Sequence, residues 1–266
     1  MRIQQVVCVL AFAGFAQAGT PYESDFDDGT VGPEITLGAA FLTGVQGYAD
    51  LGVGDNTFTG LFLRSPTQNT VRVELTDLPT HSTIDIAFLF AAIDSLDGTG
   101  TPPAGDFFIV TVDGVEVFNE SFANALKEQI QSYQPPAGGE LARRVPLGFT
   151  VGEFYLDSAY DMYIEPAFRD IPHSADSVVI EFRLDGDGVQ DLNDESWALE
   201  NLRVSTDGDS SCPGDVNFDG SVDLADLNLV LANFGQTTPN GDATGDGVVD
   251  LADLNAVLAA FGASCP

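Results

Sequence analysis

GDVNFDGSVDLADLNLVLANFG, residues 214–235, is followed by GDATGDGVVDLADLNAVLAAFG, residues 241–262. Both stretches contain DLADLN, and they align without a gap. A repeat this close marks two equivalent supersecondary units.

Each copy spells a calcium loop. Asp215, Asn217, Asp219, Ser221, Asp223 and Asp226 fall at loop positions 1, 3, 5, 7, 9 and 12 of the first. Asp242, Thr244, Asp246, Val248, Asp250 and Asp253 take the same positions in the second. That spacing wraps oxygen donors around a hard cation, which needs about six to eight of them at about 2.3–2.6 Å. Position 7 donates a backbone carbonyl, so Ser221 and Val248 serve equally well. Gly220 and Gly247 occupy position 6, where the chain must turn sharply. Val222 and Val249, at position 8, are expected to pack together and pair the loops. Thr244 in place of Asn217 makes the second site the poorer one. The competing reading, a solvated acidic turn that happens to repeat, does not explain glycine at position 6 twice.

A short amphipathic helix is expected after each loop. Leu224, Leu227, Leu231 and Phe234 recur at near-helical spacing, as do Leu251, Leu254, Leu258 and Phe261. Gly235 and Gly262 stand where a left-handed cap ends a helix. No helix is expected before either loop, because Ser-Cys-Pro and Thr-Thr-Pro-Asn precede them. Loop then helix, twice, each loop closing on Asp, resembles the dockerin type I module over residues 212–265. The resemblance implies a calcium-dependent plug for a cohesin-like protein domain, in polysaccharide-degrading assemblies or on cell surfaces. It also marks positions 10 and 11 as partner contacts, here Leu224, Ala225, Leu251 and Ala252 in place of the Ser-Thr of many dockerins.

Residues 1–18 read as a secretory signal: Arg2, an apolar run from Val6 to Phe15 too short to span a bilayer, then Ala16-Gln17-Ala18. The chain is therefore expected to be secreted, extracellular or at the cell surface. With Cys8 removed, Cys212 and Cys265 remain, one on each side of the repeat. In an oxidising compartment they are expected to form a disulfide. Closing a loop of about 50 residues contributes ~4 kcal/mol in the chain-entropy model, which suits a module with little core of its own.

The chain carries 41 Asp and Glu against 9 Lys and Arg, a formal charge of −32. Such an excess disfavours nucleic acid and anionic membrane surfaces as partners. No later stretch is long and apolar enough for a membrane span.

Residues 20–206 read as β. Residues 70–78 alternate, with Val71, Val73 and Leu75 on one face, and 83–93 (TIDIAFLFAAI) is a long apolar strand. Residues 107–112 and 115–118 flank Asp113-Gly114, the strongest hairpin signal in the chain. Residues 177–184 and 197–205 supply two more strands, and 122–133 reads as helix. The expected fold is mainly β: a β-sandwich or jelly roll, a linker at 207–211, and a small all-α module at 212–266 with two calcium loops. IDSLDG, DFFIVTVDGVEVF and DESWALENLRVS are similar to jelly-roll domains of exported bacterial surface proteins with concanavalin-like folds. That resemblance implies no activity.

The histidines, His81 and His173, both follow proline turns and read as loop residues, not as a catalytic base. No Gly-x-Ser-x-Gly elbow or HExxH motif occurs. A glycosidase needs two carboxylates about one bond, and in so acidic a chain proximity in sequence identifies none. LDGDGVQDLND places Asp185, Asp187, Asp191, Asn193 and Asp194 as a third candidate calcium loop, with Asp94 and Asp97 in a turn a jelly roll brings near. The equal alternative is a solvated acidic loop. Trp197, the single tryptophan, is expected in the core; the other reading stacks it on a sugar. The leading expectation is an attachment module carrying a binding or structural sandwich, with glycan among its ligands. The alternative is an accessory or catalytic component of polysaccharide degradation, a glycoside hydrolase if an enzyme.

Overall fold

A computed structural model describes residues 21–54, 56–99, 105–206, 214–217, 221–238, 240–244 and 248–264. The expected signal at 1–18 and expected linker at 207–211, with Cys212, Asp219, Gly220, Asp246, Gly247 and Cys265, lie outside them. Among the described residues, no helix is long and apolar enough to cross a membrane.

Among the described residues, fifteen strands precede two α-helices. They are β1 (Tyr22–Ser24), β2 (Ile35–Thr36), β3 (Phe41–Gly44), β4 (Gly52–Val53), β5 (Asn56–Thr57), β6 (Leu61–Pro66), β7 (Thr70–Thr76) and β8 (Thr83–Asp94). Then come β9 (Phe107–Val112), β10 (Val115–Ser121), β11 (Glu140–Val145), β12 (Asp157–Asp161), β13 (Ile171–Pro172), β14 (Ser177–Asp185) and β15 (Glu195–Thr206). Helices α1 (Leu224–Asn233) and α2 (Leu251–Ala260) follow. One antiparallel sheet of eight strands runs β11-β12-β8-β15-β6-β3, with β1 beside β15 and β13 beside β8. A second, of five, runs β10-β9-β14-β7-β2. The fold is mainly β, as the alternation of apolar residues requires.

The core lies between the sheets. Phe88 and Phe90 of β8 meet Phe108 of β9 and Phe182 of β14, with Phe90 and Phe108 centred 4.3 Å apart. Trp197 is fully buried against Phe108, so the core reading of it holds. The apolar run of β8 is explained by cover on both faces. Ile84, Ile86, Phe88 and Phe90 point to the other sheet, whereas Leu89, Ala91 and Ile93 join Tyr48, Phe58 and Phe62 outside it. The Asp113-Gly114 hairpin forms with both residues at positive φ, 49° and 77°, the geometry of a type I′ turn.

Residues 122–133 do not form the expected helix. Ser121 and Ser132 exchange backbone N–H to Oγ bonds of 2.8 Å, closing the segment into a loop. Asn124 is buried, donating to Ala92 O and accepting from Ser158 Oγ. Burial of Phe122 among Phe90, Tyr133 and Tyr160 fixes the segment against the core, and tertiary packing overrides a local preference worth tenths of a kcal/mol per residue.

Candidate calcium centres

In the repeat, the last aspartate of each loop does two structural jobs. Asp226 Oδ1 accepts from the backbone N–H of Val216 and Asn217 at 2.8 and 3.1 Å, while Oδ2 accepts from Asp223 N at 2.8 Å. Asp253 repeats this, with Thr244 N and Oγ1 on Oδ1 at 2.9 Å and Asp250 N on Oδ2 at 2.7 Å. Asp223 and Asp250 cap α1 and α2 in return, accepting from Ala225 N and Ala252 N. Each loop is thus drawn shut onto the first turn of its helix, a capping box whose loss costs about 1 kcal/mol. Burial would raise the Asp253 carboxyl, but the N–H groups around it hold it below the ordinary range.

The two units then lock reciprocally. Val222 donates to Ala263 O and accepts from Gly262 N, while Val249 donates to Gln236 O and accepts from Gly235 N. Each loop therefore pairs with the exit of the other unit's helix, not with the other loop as the position-8 valines suggest. The valines do share a core with Val230 and Val257. Gly214 and Gly241, at φ of 108° and 83°, press on the opposite helix. A Cβ on either would stand 2.9 Å from the Cα of Val257 or Val230. Asp215, Asn217, Ser221, Asp223 and Asp226 of the first loop, and Asp242, Thr244, Val248, Asp250 and Asp253 of the second, all sit on this frame.

The helical apolar row is a correction. Leu224, Leu231, Phe234, Leu251, Leu258 and Phe261 are exposed, by 63 % at Leu224 and 61 % at Leu251. The face turned inward is instead Val230 and Val257, with Leu227 and Leu254 partly buried beside them. A helix between a small core and solvent has two apolar sides here, and spacing alone does not tell which is covered. Ala225 is half-buried and Ala252 exposed.

In the sandwich, the run 185–194 does not close as a loop of ligands. Asp187, Asp191 and Asn193 are exposed; Asp191 Oδ1 accepts from Asn193 N, and Asp185 Oδ1 from Gly186 N. Asp194 does meet the turn after β8, through Ser95 Oγ to its Oδ1 at 2.8 Å. The carboxylates brought together are Asp97, Asp106 and Glu195, all buried. Asp97 lies just beyond β8, Asp106 just before β9, and Glu195 opens β15. Burial pushes Asp106 up to about 7, and burial with the nearby Asp106 charge pushes Glu195 to about 8. Asp106 and Glu195 escape a motif search because they come from distant strands. Their signal is alternation: Glu195 shares the inward face with Trp197, and Asp106 with Phe108.

His81 and His173 are in loops, yet buried and stacked, His81 Nε2 lying 2.6 Å from His173 Nδ1. His173 Nε2 stands 3.2 Å from Asp113 Oδ2 without hydrogen-bond alignment.

No protein-family model and no curated protein matches the chain. Among solved structures, the carbohydrate-binding module TmCBM61, in complex with β-1,4-galactotriose, gives 10 % identity and a TM-score of 0.31, covering 71 % of this chain and 100 % of that one. The CBM22-1 xylan-binding domain of Paenibacillus barcinonensis Xyn10C gives 10 % and 0.28, covering 72 % and 97 %. A Paenibacillus sp. cycloisomaltooligosaccharide glucanotransferase gives 11 % and 0.33; the alignment covers 77 % of this chain and spans only 21 % of that one. At such TM-scores the matches carry no argument about ligand or activity.

Proposed function

We propose that residues 212–266 are a calcium-dependent, dockerin-like attachment module, and that the sandwich is the cargo it delivers to a cohesin-like partner outside the cell. The supporting observation is the reciprocal frame, in which each loop exchanges the same pair of backbone hydrogen bonds with the other unit's helix exit. Calcium supplies the positive charge that four aspartates per loop require. The exposed leucines support an apolar docking face present in two equivalent copies, so that one partner fits in either of two orientations. Titration of the full chain against a panel of cohesin domains tests this. Binding should occur in calcium and vanish in chelator. Leu224→Asp and Leu251→Asp should each cost little, and the double variant far more than their sum. Abolition by one change alone, with the fold intact, rejects the two-orientation reading.

A second reading, polysaccharide binding by the sandwich, draws on a depression of about 360 Å³ lined by Phe107, Ile109, Asn119, Asp185 and Asp187. An aromatic ring beside amide and carboxylate oxygens suits a sugar's apolar face and hydroxyls. A glycan array probed with the full chain and with Phe107→Ala tests it: a hit that survives the variant places the sugar elsewhere. The Asp97, Asp106 and Glu195 carboxylates are too buried for a polysaccharide to reach.

A further inference from the structure

Two other buried carboxylates of the sandwich, Asp94 and Asp157, have a partner on each oxygen. Asp94 lies 3.6 Å from Arg64 and accepts from Thr150 N and Oγ1 at 3.2 Å. The two oxygens of Asp157 accept from Asp94 N and Leu147 N at 2.9 and 2.7 Å. Asp97, Asp106 and Glu195 instead face one another. One oxygen from each lies within 4.8 Å of the others. Their donors are all neutral: Gln129 to Asp97, the backbone N–H of Asp97 and Gly98 to Asp106 Oδ2, and Gln190 N and Nε2 to Glu195. Among the described residues, no basic side chain forms an ion pair with any of the three. The adjoining stretch 100–104, GTPPA, has none in its sequence. Asp106 is 0 % exposed, and its Oδ1 has no hydrogen-bond partner. Burying an ionised carboxylate with a bare oxygen is strongly unfavourable unless a cation meets it.

We propose that Asp97, Asp106 and Glu195 bind a calcium ion that fastens the two sheets of the sandwich together. The donors are all oxygen, which selects a hard cation. Oxygens that share one calcium at about 2.3–2.6 Å stand at most about 5 Å apart, and these three satisfy that limit. Magnesium, at about 2.0–2.1 Å in a strict octahedron, needs them drawn closer. The placement gives the ion a job. Asp97 and Glu195 belong to the ends of β8 and β15 in the eight-stranded sheet, and Asp106 leads into β9 of the five-stranded one. The inference rests on the sandwich alone and stands whether or not the repeat is an attachment module.

Trp197 makes the site readable. It is the single tryptophan, it lies two residues from Glu195 on the same face of β15, and residues 207–266 hold neither tryptophan nor tyrosine. Terbium replaces calcium at oxygen sites and emits when a nearby aromatic ring passes it energy. Tryptophan excitation of the full chain with terbium therefore reports this site and not the repeat loops. Bright emission is expected, displaced by calcium and cut at least tenfold in Asp106→Asn. Melting followed by Trp197 fluorescence should rise by roughly 5–10 °C from chelator to saturating calcium. Asp106→Asn should lose that rise and, in chelator, melt no lower than wild type, since the amide removes a buried charge. The proposal is overturned if tryptophan-sensitised emission is absent while directly excited terbium shows the chain loaded. It is equally overturned if emission and the calcium-dependent rise persist in Asp106→Asn. Should that variant not fold, the wild-type arm decides alone: calcium-displaceable emission upholds the site and its absence rejects it.

Discussion

The chain gathers acid in two ways. In the repeat, carboxylates from one short stretch are received by backbone N–H groups of that same stretch: Val216, Asn217 and Asp223 on Asp226, Thr244 and Asp250 on Asp253. In the sandwich, Asp97, Asp106 and Glu195 arrive from three strand ends and are buried with little but two side-chain amides and three backbone N–H groups for company. The first arrangement lowers Asp253 below the ordinary carboxylate range, and the second lifts Asp106 and Glu195 to about 7 and 8. Local backbone can organise an anion cheaply; a core can do so only with a partner of opposite charge.

That contrast predicts its own largest effect. Among the described residues, the repeat has a core of five buried valines, Val216, Val222, Val230, Val249 and Val257, too small to hold two ten-residue helices against charge repulsion. Chelation of the full chain should remove the helical circular dichroism of α1 and α2, under reducing and oxidising conditions alike. The sandwich, with its much larger aromatic core, should keep its β signal, although it should melt lower. Retention of the full helical signal in excess chelator would mean that packing, not metal, holds the repeat.

The same contrast explains what can be read from the chain. Both helices, their aspartate caps and their glycine stops are legible because each signal lies within a dozen residues of the next. The main strands are legible too: Val71, Val73 and Leu75 alternate, and Asp113-Gly114 announces its hairpin. Short strands such as β4 and β5 are not, since two residues carry no period. Residues 122–133 mislead because their helix-forming composition says nothing of Asn124, which is spent on Ala92 and Ser158. The acid trio is hidden for the same reason. The register Glu195 to Asp94, and the approach of β9 to β8, exist only once the sheets have formed.

A smaller effect sharpens the comparison through pH. Glu200 is a buried acid of the second kind: Thr59 N donates to Oε1 at 2.6 Å, Oε2 has no partner, and burial, with Asp27 and Asp25 nearby, pushes it up to about 9. A carboxyl raised in the folded state contributes full stability below its unfolded value near 4.5 and loses it as pH rises toward 9. One such group gives a slope of about 1.4 kcal/mol per pH unit within that window. Glu200→Gln removes the titration. In urea unfolding at fixed calcium, followed by Trp197 fluorescence, the variant should be more stable than wild type at pH 8 by at least ~1 kcal/mol. The advantage should shrink as the buffer is taken to pH 5. An advantage that does not change with pH would show that Glu200 is not titrating in the fold.

The smallest effect separates the two jobs of one residue in the repeat. Asp223 is both loop position 9 and the N-cap of α1: its carboxylate accepts from Ala225 N while its backbone N–H donates to Asp226 Oδ2. Position 9 often reaches calcium through a water, so its charge is expected to matter less than that of position 1, here Asp215. Asparagine caps a helix as well as aspartate does, whereas alanine does not. In saturating calcium, Asp223→Asn should therefore leave the melting of the repeat almost unchanged, and Asp223→Ala should lower its stability by about 1 kcal/mol. Calcium affinity should fall in both, by a similar small factor, because both lose the charge. Asp215→Ala supplies the contrast: it changes loop position 1 and leaves both residues of the capping box in place, so its affinity loss should be the greater. If Asp223→Asn costs as much stability as Asp223→Ala, the side chain acts through the ion and not through the helix. The frame would then be held by metal at its cap as well as in its loop.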